Sequence, residues 1–244
     1  MLNNKYLVKT LPGVLLLATV SAATTADPWT GKGELGYVLV EGNTKSEVLN
    51  VGIEFEKVHN DWKHVAKLSA IDSKSNGDKI ANSRAASWRS EYSFSERTFG
   101  FGEASYSDDK FDSFNIIYTV SFGAGYKVIM EEDQTWDLSA GIGYRDTKTE
   151  TSNVATNNRD IGSIAYVFES DYKHQLTETT SFENLTKILL AEDDNYSTNI
   201  AGLSVAINSA LALKLKHEVR HHSDPEPGFK SVDRITSVNI VYKF

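Results

Sequence analysis

Thr236-Ser237-Val238-Asn239-Ile240-Val241-Tyr242-Lys243-Phe244 closes the chain with apolar side chains at Val238, Ile240, Tyr242 and Phe244, every second position. That period sends successive side chains to opposite faces and describes a strand with one apolar face. The apolar face ends in two aromatics. Such a strand has a natural place as the last strand of a transmembrane β-barrel, where it completes the hydrogen-bonded wall and sets rings at the membrane interface.

The same alternation continues through the chain. Phe114, Ile116, Tyr118, Val120, Phe122, Ala124, Tyr126 and Val128 share one face, against Asn115, Ile117, Thr119, Ser121, Gly123, Gly125 and Lys127. A helix would scatter the first set around its circumference, which excludes one here. Leu49, Val51, Ile53 and Phe55 likewise oppose Asn50, Gly52, Glu54 and Glu56. Trp136, Leu138, Ala140, Ile142 and Tyr144 oppose Asp137, Ser139, Gly141, Gly143 and Arg145, and Leu211, Leu213, Leu215 and Val219 oppose Lys214, Lys216, Glu218 and Arg220. Weaker strands fall near 33–41, 62–72, 80–94, 97–107, 160–172, 180–191 and 196–207. The expected fold is therefore all-β, a single transmembrane antiparallel β-barrel of twelve strands, an allowed even number. Strand 97–107 sets Phe99 and Phe101 on the same face as Glu103, so its facing stays open; a bulge or a shifted boundary would resolve it. Turns near 59–61, 95–97, 131–134, 174–177 and 208–209 are short, and most of those between them are longer and more polar. That asymmetry fits short periplasmic turns and longer outer loops, with both termini in the periplasm. A secreted β-sandwich or lipocalin-like barrel also alternates, but it points its apolar face inward and uses strands of about five or six residues.

The N-terminus agrees. Lys5 and Lys9 precede an apolar run from Leu11 to Val20, and Ser21, Ala22 and Ala23 follow. This is the layout of a secretory signal peptide, expected over 1–22 with cleavage as late as 26, leaving the barrel over 23–244. The run is too short to span a bilayer as a helix. Hydrophobic residues make up only 40% of the chain, because lipid-facing and bore-facing residues cancel along each strand. There is no cysteine, so neither a lipoprotein anchor nor a disulfide is available. The net charge of −8 argues against nucleic-acid binding, which needs basic patches.

Trp29-Thr30-Gly31, Leu35-Gly36 and Glu41-Gly42-Asn43-Thr44 form an opening that resembles the YdiY-like family, and so do the run Tyr92 to Phe111 and Gly123-Ala124-Gly125-Tyr126. The resemblance covers essentially the whole chain after the signal peptide. It implies an outer-membrane barrel linked to salt stress, within a family of unknown function, and brings no catalytic residues. The terminal face of Val238, Ile240, Tyr242 and Phe244 resembles the signal that bacterial outer-membrane barrels present to their assembly machinery.

Alternation assigns Glu34, Glu54, Glu56, Lys63, Lys67, Arg89, Glu91, Arg145, Glu169, Glu183, Lys187, Lys214, Lys216, Glu218 and Arg220 to the bore. The signs are nearly balanced, which suits either a small passive channel with a transverse field or a bore closed by ion pairs. A twelve-strand barrel is wide enough for a small channel without requiring one. Lys214, Lys216 and Arg220 on one strand are the candidates for attracting anions. Trp62, Trp88, Trp136, Tyr92, Tyr126, Tyr144, Tyr166 and Phe168 fall outward as interfacial girdles. His217 and His221 face lipid by parity, and adjacent His222 diverges from His221, so no metal site is expected. Asp108-Asp109 and Asp193-Asp194 lie in outer turns, where solvated turn residues are the usual outcome. No Gly-x-Ser-x-Gly elbow occurs, and His217 would meet a serine such as Ser204 only if the facing were reversed. Neither enzymatic activity nor a cofactor is expected. The expected address is the outer membrane of a Gram-negative bacterium, with membrane lipids, lipopolysaccharide and the barrel-assembly machinery as partners.

Overall fold

In a computed structural model the described residues are 28–40, 46–76, 78–109, 116–148, 160–192, 194–225 and 230–244. The expected signal peptide lies outside them, as do Gly42-Asn43-Thr44, Phe111, Phe114 and Asp193. Twelve strands form the fold: β1 Thr30–Val40, β2 Ser46–His59, β3 Trp62–Ser75, β4 Asp78–Ser93, β5 Thr98–Asp109 and β6 Ile116–Met130. They continue with β7 Gln134–Lys148, β8 Asp160–Gln175, β9 Thr180–Ala191, β10 Tyr196–Ala206, β11 Leu211–His222 and β12 Val232–Lys243. Each pairs antiparallel with its sequence neighbours, and β1 pairs with β12 to close the barrel. A closed wall leaves no edge strand unpaired, which is what a hydrocarbon surrounding demands.

Alternation sorts the side chains as the sequence predicts. On β6, Val120 is 61% exposed while Thr119 and Ser121 are 6% and 3% exposed. On β12, Val238, Ile240 and Tyr242 are exposed while Ser237, Asn239 and Val241 are buried. The exposed set is the apolar one, so the barrel is greasy outside and polar inside. Outward aromatics cluster along β3 and β4: Trp62 stacks on His64, Trp62 meets Tyr92, and Trp29 meets Trp88 edge-on.

The start of β1 and the end of β12 share the rim that carries the tight turns. The β2–β3 hairpin turns on Asn60 and Asp61, and Asn60 takes a φ of 52°. Two-residue hairpins need positive φ, and asparagine tolerates it better than most residues. Elsewhere on this rim a side-chain acceptor secures the turn: Ala210 N–H and Leu211 N–H both donate to Asn208 Oδ1 at 2.9 Å.

The open question on strand 97–107 has a packing answer. Phe99 and Phe101 point into the bore and are 2% and 6% exposed. Pairing of β5 with β4 and β6 runs without a shift, so no bulge turns them outward. Phe99 lies opposite Gly125 and Phe101 opposite Gly123. A Cβ built on Gly125 would overlap the Phe99 ring, and one on Gly123 would meet first the β7 backbone at Ala140 and Gly141 and then the Phe101 ring at 2.8 Å. The glycines on β6 therefore serve close approach of two aromatic rings. A second departure lies at 72–79, where strand structure continues through Ser75 and resumes at Asp78, leaving a tight connection in place of a long loop.

Candidate functional site

The bore is layered by ion pairs. Near the tight-turn rim, Lys32 and Lys67 flank Glu54 at 3.3 and 3.4 Å, and Lys63 lies 3.6 Å from Glu56. This layer is open: the side chains of Lys67 and Lys173 are 49% and 53% exposed. Midway, Arg89 donates through Nε to Glu91 at 2.7 Å and through Nη1 to Glu103 at 3.1 Å, and stands 3.5 Å from Glu169. Lys187 joins the same group through Glu103 and lies 3.8 Å from Glu169. The Arg89 guanidinium also sits 4.1 Å above the Phe101 ring. Its delocalised charge is suited to such a face. Lys214 reaches Glu34 at 2.8 Å and also pairs with Glu183.

Toward the long-loop rim, Arg220 donates to Glu218 at 2.7 Å and to Asp109 at 3.0 Å, while Lys216 is 3.5 Å from Glu218. Arg220 belongs to β11 and Asp109 to β5, half the circumference apart in strand order. Glu103 and Lys187 join β5 to β9, and Arg89 and Glu169 join β4 to β8. These contacts cross the bore; neighbouring strands alone could not make them. A neutral layer beside the closing seam uses Asn50, whose Nδ2 donates to Asn239 Oδ1 at 3.3 Å.

Of the residues assigned to the bore by alternation, the ion pairs bring all but Arg145 into this network. Lys214, Lys216 and Arg220, the candidates for anion attraction, are each held by carboxylates, so they carry no excess positive charge as a group. Sequence reasoning passed over Lys32, left the facing of Glu103 open, and read Asp109 as a solvated turn residue, whereas Asp109 ends β5 and is held by Arg220. A carboxylate on the face of two phenylalanines is a signal for Glu103, once β6 is seen to offer glycines opposite them.

The connection between β9 and β10 holds a further group. Asp194 is 2% exposed rather than solvated. Its Oδ2 lies 2.6 Å from His222 Nδ1, and its Oδ1 accepts from Ser223 Oγ at 3.2 Å and from the Asp224 N–H at 3.0 Å. Arg145 of β7, 1% exposed, donates to the Asp194 carbonyl at 2.9 Å. The turn is therefore tucked into the mouth and clasped to β7 and β11. Burial pushes the Asp194 carboxyl up, but the hydrogen bonds from His222 and Asp224 and the Arg145 charge outweigh it and hold the group well below the usual carboxylate range. His217 and His221 stay outside, with His217 Nδ1 2.8 Å from Thr236 Oγ1. Ser204 shares the inward parity of buried Gly202, so no serine–histidine pair forms there. Among the described residues no cluster suited to a metal occurs.

The chain is 25% identical to the uncharacterized protein YdiY of Escherichia coli (strain K12), over 97% of this chain and 98% of that protein. The COG4313 outer membrane channel from Pseudomonas putida F1 superposes with a TM-score of 0.51 at 9% identity, covering 91% of this chain and 97% of that one. The translocator domain of the autotransporter NalP from Neisseria meningitidis gives 0.48 at 11% identity, with 91% and 90% covered. The NanC porin gives 0.48 at 12%, with 89% and 99% covered. At these identities the likeness is one of fold, that of outer-membrane barrels. The resemblance to the YdiY-like family is borne out by the Escherichia coli relative, and the profile of DUF481, proteins of unknown function, matches residues 33–244, so the chain belongs to that family.

Proposed function

We propose that this barrel is a narrow passive channel of the Gram-negative outer membrane, shut by ion pairs that cross its bore. The observation that carries this reading is the Arg220–Asp109 contact at 3.0 Å between opposite walls, with the Arg89, Glu103, Lys187 and Glu169 group below it. Paired charges can also fill a closed barrel, but opposed charges held across an opening between facing walls are what a charge-selective or gated pore uses. The exposed lysines at the tight-turn rim form a vestibule below this barrier. The solutes suited to it are small and polar, without preference for anions, since the bore charges are paired.

The second reading is a non-transporting barrel that binds lipopolysaccharide or a periplasmic partner. It is favoured by the depth of packing near the long-loop rim, where Arg145, Thr147, Ala165 and Val167 are all 1% exposed or less. Conductance across a planar bilayer separates the two. On the channel reading, the purified barrel gives rare, small openings, and Arg220→Gln makes them frequent and larger. Absence of current from both proteins under varied salt and voltage overturns it. The outward terminal face of Val238, Ile240, Tyr242 and Phe244 supports delivery by the barrel-assembly machinery. A lipid hydrolase finds no support in the separated Ser204 and His217.

A further inference from the structure

The chain has four tryptophans, and three of them stand together on the outer wall, between the start of β1 and β4. Trp62 and Trp88 flank His64, with ring centroids 5.8 and 5.9 Å from the imidazole, and Trp29 meets Trp88 from the side. Lys57 stands directly opposite His64 in the β2–β3 register, with its Nζ 5.8 Å from the centre of the Trp29 ring. An even girdle would spread such rings around the barrel at headgroup level. Here they gather about two basic side chains.

The polar atoms of this patch are paired on one side only. Trp88 Nε1–H donates to Ser90 Oγ at 3.0 Å, and Ser90 Oγ lies 2.9 Å from His64 Nδ1. Indole is only a donor, so the Ser90 hydroxyl keeps its own proton to offer Nδ1, an arrangement that leaves the imidazole hydrogen on Nε2. Among the described residues Nε2 has no hydrogen-bond partner and Lys57 meets no carboxylate, although both side chains are only half-buried and both atoms reach the surface. A barrel tolerates a lysine on its outer wall near the interface, but hydrocarbon gives it nothing to bind.

We propose that Lys57 and His64 form a site for the phosphate of a membrane phospholipid, in the leaflet at the tight-turn rim. Residues directly opposite on antiparallel strands have Cβ atoms about 4.5–5.5 Å apart, so one phosphate takes charge-assisted hydrogen bonds from Nζ and Nε2–H together. The Trp29 face holds the ammonium against the wall, and Ser90 fixes the imidazole. The three indoles then offer apolar faces to the glycerol and the first acyl carbons. A free anion would use the same two donors and gain nothing from the rings. The site rests on the membrane address of the barrel and not on conduction.

Native mass spectrometry of the barrel released from outer-membrane vesicles tests the site. The unaltered protein should retain a phospholipid mass. Lys57→Gln/His64→Gln, still showing the gel shift of a folded barrel, should lose it several-fold, and Trp136→Phe, outside the patch, should keep it. After delipidation, phosphatidylglycerol should bind the unaltered protein several-fold better than diacylglycerol with the same chains, and inorganic phosphate should not displace it. Equal binding of the two lipids, displacement by inorganic phosphate, a lipopolysaccharide mass in place of the phospholipid, or full retention by the double variant overturns the proposal.

Discussion

Phe244 and Gly31 exchange both backbone hydrogen bonds, at 2.8 and 2.9 Å, and the Phe244 ring lies over the glycine. The same ring meets Phe55 edge-on at 5.8 Å between centroids. The terminal residue thus fastens three strands, β12, β1 and β2, at a seam whose paired span is short, Lys32–Gly36 against Asn239–Lys243. Any Cβ at position 31 would overlap the ring. Gly31→Leu is expected to displace Phe244 and lower the folded fraction on unheated gels more than Phe244→Ala does. Phe244→Ala loses an aromatic pair of about 0.5–1.5 kcal/mol and leaves the backbone exchange intact. Equal folded fractions for all three proteins would deny the seam this role.

The paired rings of the bore give a second prediction. Phe99→Ala removes a nearly buried side chain and leaves the space above Gly125 empty, at a cost of about 3–5 kcal/mol. Gly125→Val fails for the opposite reason, since it drives a side chain into the ring. The double change Phe99→Ala/Gly125→Val should recover part of the loss, because the new methyls enter the space that the ring vacates. Thermal unfolding followed by near-ultraviolet circular dichroism measures all three, and strict additivity would sink the idea.

This pair also shows where sequence and structure part. Period-two alternation is local, so strands such as β6 and β12 and their greasy faces are legible residue by residue. The facing of β5 is not. Phe99 and Phe101 share a face with Glu103, which leaves the facing open until Gly123 and Gly125, on another strand, supply room for the rings. The clasp around Asp194 is still less legible, because Arg145, Asp194 and His222 come from β7, the β9–β10 connection and β11 and meet only through the register of four strand pairs. Parity assigns Arg220 to the bore and leaves Glu103 open, but no local pattern tells which charge either reaches across it.

Asp194 yields a pH dependence. Its folded carboxyl titrates below its unfolded counterpart, so the clasp stabilises the barrel at every pH above the ordinary aspartate range, near ~3.9. That stabilisation falls away as pH drops through this range toward the lower folded value. Asp194→Asn should therefore melt lower than the unaltered barrel at pH 7 and show a flatter decline below pH 4. The melting temperatures should converge in strong acid. Parallel curves across the whole range would show that the carboxylate is not what holds the turn.

Across the middle of the bore, Glu103 is flanked by Arg89 at 3.1 Å and by Lys187, and its side chain is only 8% exposed. Without Glu103, Arg89 keeps Glu91 and Glu169, but Lys187 keeps only Glu169 at 3.8 Å, so the lysine loses its close carboxylate partner. Glu103→Gln should thus destabilise by about 3–5 kcal/mol, as for one partner lost from a buried pair. Lys187→Gln leaves Glu103 with Arg89 and should cost less. Combining the two returns the group to its original net charge and removes the lysine that lost its close partner, so the double variant should be more stable than Glu103→Gln alone, a coupling that shared electrostatics produces. The same series reports on the channel: Glu103→Gln should favour anions in reversal-potential measurements, and the double variant should return to no preference. A double variant less stable than both single ones, with selectivity unchanged throughout, would mean that these charges fill the barrel without governing what passes through it.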